Sequence, residues 1–242
     1  MSFPGSDWSD GLINAVGKEL GINLVNELKS ELGINLGSIV SRGFSAGLKK
    51  YSPRQNISNL SLVYGVGLYY HGLGVGDVKG WFEDAAKEEQ TDEFNVDVTI
   101  PMFFNLPVTI GGNYTVQLPN TSASIYGEAA LGLNISYITK GKIELNAVDL
   151  DAKINTKGEL SFDPAFGFCY GLEAGIGFNN KFHIGVRYNN LGTHSYKYKI
   201  EGDSSHTDGY GYGETYHTSG NENGTLSKVK LSNTALVLGI RF

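Results

Sequence analysis

Along most of this chain the apolar residues fall on every second position. Leu60, Leu62, Tyr64, Val66, Leu68 and Tyr70 form one run, and even positions from Phe94 through Ile110 form another. Odd positions from Ala123 to Tyr137, then even positions from Leu160 to Phe178, continue the pattern. Phe182, Ile184, Val186 and Tyr188 follow, and the chain closes on Leu236, Leu238, Ile240 and Phe242. A side-chain period of two belongs to β-strands. Six are predicted: 59–70, 94–110, 122–139, 159–178, 181–200 and 225–242. Residues 38–50 supply a seventh, with Val40, Phe44, Ala46 and Leu48 on one face and Ser41, Gly43, Ser45 and Gly47 on the other.

The N-terminal part has a different period. Leu12, Val16, Leu20, Leu24, Leu28, Leu32 and Leu36 recur every fourth position, a helical stripe that Asp10 is placed to cap. One or two short amphipathic helices are predicted over 10–32, within an N-terminal segment 1–37 that precedes a strand-rich unit, 38–242. An eighth strand would have to come from 19–36, which overlaps that helix.

The two faces of the strands differ in chemistry. The apolar rows carry no charge, whereas the interleaved positions hold Asp97, Glu128, Asp163, Glu173, Arg187 and Arg241. They also hold glycines 65, 67, 132, 167, 171, 175, 177, 185 and 239. In a soluble sandwich or carrier, the wet face is usually rich in Thr, Lys and Glu, because glycine packs nothing and weakens a strand. In a small membrane barrel the bulky apolar residues meet lipid, and the interior is narrow, polar and filled with small residues and paired charges. The glycine-rich second face favours the membrane arrangement: an all-β, closed antiparallel up-and-down transmembrane β-barrel of eight strands with an N-terminal helical segment.

Connections alternate in kind. Asn179-Asn180, Pro119-Asn120 and Pro53-Arg54-Gln55-Asn56 mark short turns, while 71–93, 139–159 and 201–224 read as long loops. Two of those loops, 71–93 and 201–224, are strongly acidic and account for the net charge of −6 in 242 residues. That charge offers no footprint for nucleic acid. A single cysteine excludes a disulfide framework. The 33 glycines are about twice the usual share of roughly 7% and show no collagen period. Residues 1–10 carry no secretory signal, so an exported protein implies a signal peptide already absent from this chain.

At this point the residues resemble the small bacterial outer-membrane β-barrel proteins of the OmpX/OmpW type. VTIPMFF, SIYGEAALGLNISY and the FGFCYGLEAGIGF hairpin into FHIGVRYNNLG are similar to successive strands of that class. The terminal LVLGIRF, with Leu238, Ile240 and Phe242, looks like its C-terminal assembly signal. The resemblance covers about 94–242. It implies an outer-membrane location, contact with outer-membrane lipid, and recognition by the barrel-assembly machinery.

Within that frame, Glu128, Glu173 and Arg187 fall on the inward face of consecutive strands, and an interior ion-pair network is predicted, with Asp163 and Arg241 as further members. In 201–224, His206, Tyr210, Tyr212, Tyr216 and His217 are candidate contacts for an extracellular surface ligand. Eleven residues between two histidines is not a metal-ligand spacing, and no metal or cofactor is expected. Tyr64, Tyr69, Tyr70, Tyr137, Tyr188, Tyr196 and Tyr198 are expected in interfacial girdles. Cys169 falls on the inward face. No GxSxG, HExxH or P-loop pattern is present, so no enzyme is expected. The function expected is structural or surface-interacting, with the lumen filled by side chains. A narrow channel or carrier for small or hydrophobic solutes and a soluble lipocalin-like ligand carrier are the alternatives.

Overall fold

A computed structural model describes residues 43–55, 57–72, 93–149, 152–179, 181–207 and 215–240. The N-terminal segment 1–37, its predicted helix and the candidate eighth strand therefore lie outside the described residues. Ten strands are present: β1 (Gly43–Pro53), β2 (Leu60–Gly72), β3 (Glu93–Thr99), β4 (Met102–Gln117), β5 (Ala123–Ile138), β6 (Gly141–Asp149), β7 (Ala152–Phe162), β8 (Ala165–Phe178), β9 (Phe182–Thr207) and β10 (Thr215–Ile240). Every ladder is antiparallel, in the order β1-β2-β4-β5-β8-β9-β7-β6-β3, with β10 also on β9.

The expected closed eight-stranded barrel is thus corrected in two respects, while its predicted N-terminal helix lies outside the described residues. The sheet is not closed among the described residues, since β1 pairs only with β2 and β10 only with β9. It has ten strands among the described residues rather than eight. Two prolines explain part of the strand number. Segments 94–110 and 159–178 each read as one strand, but the chain breaks at Ile100-Pro101 and Asp163-Pro164. Proline lacks the ladder donor and pushes its predecessor out of register. The pieces on either side take different partners: β3 pairs with β6, and β4 with β2 and β5. Segments 139–159 and 201–224, expected as loops, instead fold as strands: β6 and β7 form one hairpin, and the upper halves of β9 and β10 another. Together with β3 they extend the sheet beyond β8.

The short turns match the sequence reading. Asn120 and Asn179 take positive φ (57° and 52°), as does Asn59 (72°) in the β1–β2 connection. Asparagine tolerates this region because its short amide bonds locally. The turns are also stitched together: Thr115 N–H donates to the Asn59 carbonyl, and Asn179 N–H to that of Ser122 (both 2.9 Å).

The sheet is strongly curled. The Lys49 ammonium on β1 lies 2.8 Å from Glu173 on β8, four ladder steps away. A flat sheet would separate those strands by about 19 Å, further than a lysine reaches. The burial pattern is inverted relative to a soluble core. On the convex face Leu48, Val108, Leu131, Leu133, Phe166, Phe168, Leu172, Val186, Leu236 and Leu238 are exposed. On the concave face Asn105, Asn113, Glu128, Asn134, Glu173, Asn189, His194 and Asn233 are buried.

One further device sets which residues face inward. At Leu191–Gly192 β9 slips against β10, so that Leu231 opposes Gly192 while Ser232 opposes Asn190. This bulge needs Gly192 at φ 104°. Below it the odd residues of β9 face inward, and above it the even ones do.

Candidate functional site

The interior is built in layers. The lowest charged layer comes from a single row of ladder neighbours: Asn113 opposes Glu128, Glu128 opposes Glu173, and Glu173 opposes Arg187. Alternation puts all four on the concave face. Two carboxylates directly opposite repel, and two cations offset them. Lys49 donates to both Glu128 and Glu173, and Arg187 donates to Glu173 through Nε (2.6 Å). Tyr126 Oη donates to the other Glu173 oxygen (2.8 Å). Tyr51 (3.3 Å) and Asn113 (3.4 Å) donate to Glu128, and Arg187 reaches Tyr69 Oη (3.3 Å). Two positive and two negative charges leave this layer neutral.

The glycines of the second face make room for these groups. A Cβ at Gly175 would lie 2.8 Å from Tyr126 Oη, and one at Gly67 2.8 Å from the Tyr69 ring. A Cβ at Gly167 would meet the His194 ring at 2.7 Å.

Above the charges lies an amide layer. Asn134 Nδ2 donates to Asn105 (2.9 Å) and to the Leu191 carbonyl (3.0 Å), and Asn189 donates to Asn233 (2.8 Å). His194 Nε2 lies 2.8 Å from the same Leu191 carbonyl. Tyr196 Oη donates to Ser136 (2.6 Å). An apolar cluster of Tyr69, Phe103, Ile138, Phe162, Leu191, Tyr196, Val229 and Leu231 then fills the space beneath the extension.

The structure thus brings together Glu128, Glu173 and Arg187. Asp163 is not with them: it is exposed at the break between β7 and β8, where its N–H donates to the Lys197 carbonyl (2.9 Å). Arg241 and Phe242 lie outside the described residues, while Leu238 and Ile240 point outward and are exposed. Sequence reasoning missed Lys49, although it continues the inward series Gly43, Ser45, Gly47. Asn113 and Tyr126 were legible in the same way from the parity of β4 and β5.

Of the surface candidates, Tyr210 and Tyr212 lie outside the described residues. His206 opposes Tyr216 across the hairpin, and His217 opposes Ser205. Alternation therefore puts the two histidines on opposite faces, where they cannot share a ligand. Among the tyrosines assigned to girdles, Tyr64, Tyr137 and Tyr188 are exposed, but Tyr69 and Tyr196 are buried inside. For Tyr196 the cause is the bulge at Leu191, which turns the upper half of β9 over. Cys169 is buried on the concave face. Out on the extension, the Lys140 hydrogen bond holds the Glu159 carboxyl below the ordinary carboxylate range, and Glu159 in turn raises the Lys140 ammonium.

No family model matches this chain, and no curated protein matches it in sequence.

Proposed function

We propose that this chain is an integral membrane β-sheet protein of the bacterial outer membrane, with a structural or surface-interaction role and an interior filled by its own side chains. The observation that carries the reading is the inverted burial: a continuous convex face of large exposed apolar residues around a concave face of buried carboxylates and amides. Monomeric soluble proteins rarely expose apolar patches beyond about 300–600 Å². No helix among the described residues is long and apolar enough to cross a membrane, so a span here is a matter of strands. Strands of 13 to 16 residues such as β2, β4, β5 and β8 exceed the roughly 9–11 that a tilted crossing needs.

What favours this over a lipocalin-like carrier is the side on which the apolar rows lie, since a carrier needs them on the concave one. What favours a filled interior over a conduit is the stacking of a neutral ion cluster, an amide layer and an apolar cluster. The LVLGIRF terminus supports delivery by the barrel-assembly machinery. In a bilayer the outer edges of β1 and β10 require hydrogen-bond partners, and amide exchange of Gly43–Pro53 in vesicles reads whether they have them.

Fractionation tests the proposal. The protein is expected in the outer-membrane fraction, released by detergent and not by alkaline or high-salt washing, with heat-modifiable mobility. A monomer that stays in solution in plain buffer would refute it.

A further inference from the structure

The outward face of β9 and β10 changes chemistry over a short distance. Its lower rows are Phe182 with Ile240, Ile184 with Leu238, Val186 with Leu236, and Tyr188 with Thr234. Beyond the bulge, Thr193 opposes Lys230, Lys197 opposes Thr225, and Lys228 sits between them at a second ladder irregularity. Val229 is buried on the inner face, so Lys230 lies on the outer one; Lys228, at φ 62° within the irregularity, is exposed, as are Lys230 and Lys197. Among the described residues none of these three lysines has an ion-pair partner. The neighbouring lysines differ: Lys140 and Lys142 are paired with Glu159, and Lys199 with Glu201.

Beside Lys197 the surface has a recess of ≈ 440 Å³ lined by Ser161, Asp163, Lys197, Lys199, Asn223 and Thr225. Hydroxyls and an amide there supply hydrogen-bond donors. Lys197 and Lys199 line the recess with Asp163, and Lys228 and Lys230 continue the row of cations toward the apolar face, so that across the patch four lysines outnumber the carboxylates of Asp163 and Glu201 on a chain whose net charge is −6.

We infer that this patch binds the phosphate headgroup of an anionic lipid whose acyl chains lie along the apolar rows of β8, β9 and β10. The inference rests on the membrane reading above. Charge complementarity and continuity with the apolar face identify the occupant: cations immediately above hydrocarbon-facing residues meet phosphates, and lysine stems lie along apolar surface while their heads reach the polar zone. The hydroxyls of Ser161 and Thr225 and the amide of Asn223 around the recess suit a headgroup rather than more hydrocarbon.

The test uses the full chain reconstituted into vesicles of equimolar phosphatidylcholine and phosphatidylglycerol, with spin-labelled versions of each lipid reporting occupancy at the protein surface. Wild type is expected to enrich phosphatidylglycerol, by about fivefold for each contributing lysine at low salt. The K197S/K228S/K230S variant is expected to approach parity, and K153S/K157S, higher on the extension, to match wild type. Wild type inserted in the vesicles with no enrichment, or equal enrichment in the triple variant, overturns the inference and leaves the membrane reading standing. Failure to enter vesicles of either lipid overturns both. Complete displacement by inorganic phosphate would assign the patch to a free anion and overturn the lipid.

Discussion

Replacing Lys49 with methionine isolates the charge that holds the interior row together. Glu128 and Glu173 oppose each other across β5 and β8, and the Lys49 ammonium contacts both. Their side chains are 5% and 2% exposed, against 18% for Lys49, so the pairs belong to the buried regime. Each contact is worth about 4 kcal/mol of attraction at roughly 4 Å and an effective dielectric near 20, most of it offset by desolvation. Removing one member of a buried pair leaves the other uncompensated and costs about 3–5 kcal/mol. Glu173 keeps Arg187 and Tyr126, so Glu128 is the group left exposed to repulsion. K49M is therefore expected to lose about 3–5 kcal/mol, and K49M/E128Q to recover half of that or more. Equilibrium denaturant unfolding in detergent micelles, followed by far-ultraviolet circular dichroism, measures both. A single variant within about 0.5 kcal/mol of wild type, the range of an ordinary surface change, would refute the reasoning, as would a double variant no more stable than the single.

Three other outcomes are expected. Gly192→Val forces a β-branched side chain onto φ 104°, with its Cβ 2.5 Å from the Phe168 carbonyl; a loss of about 1–3 kcal/mol or more is expected in the same denaturant unfolding assay, and unchanged unfolding would contradict the bulge. Leu133→Arg, at a position 67% exposed on the convex face, should cost about 2–4 kcal/mol in a bilayer, whereas a near-zero effect would mean that water covers that face. Glu159→Gln should destabilise the extension at neutral pH only slightly. Because the folded-state carboxyl is depressed below its ordinary 4.5, the wild-type advantage is present above that value and disappears as pH falls through the folded one. An advantage that persists at the acid end of a pH series would show that the Lys140 pairing is not its source.

Much of this protein follows from local pattern. Period-two alternation identified β1, β2, β5, β8 and the lower halves of β9 and β10, and separated an apolar face from a polar, glycine-rich one, while β6, most of β7 and the upper halves of β9 and β10 were read as loops. It placed Glu128, Glu173 and Arg187 on a common face, because parity is carried within each strand and needs no knowledge of partners. Asparagine at Asn120 and Asn179 marked two turns through its own tolerance of positive φ.

Pairing decided the rest. The alternation runs through Pro101 and Pro164 without a change of phase, yet Val96 and Phe162 are buried while Leu106 and Phe168 face out. Each proline ends one ladder, and the next piece joins another. The bulge at Leu191–Gly192 moves Tyr196 from the outer face to the interior through one extra residue, which no periodicity count detects in advance. Lys49 finds its carboxylates three and four strands away only because the sheet curls. Sequence alone therefore determined which residues are alike, since side-chain alternation is a property of one strand. Which of them meet, and that β1 and β10 remain edges among the described residues, was decided by register and curvature, which belong to the sheet as a whole.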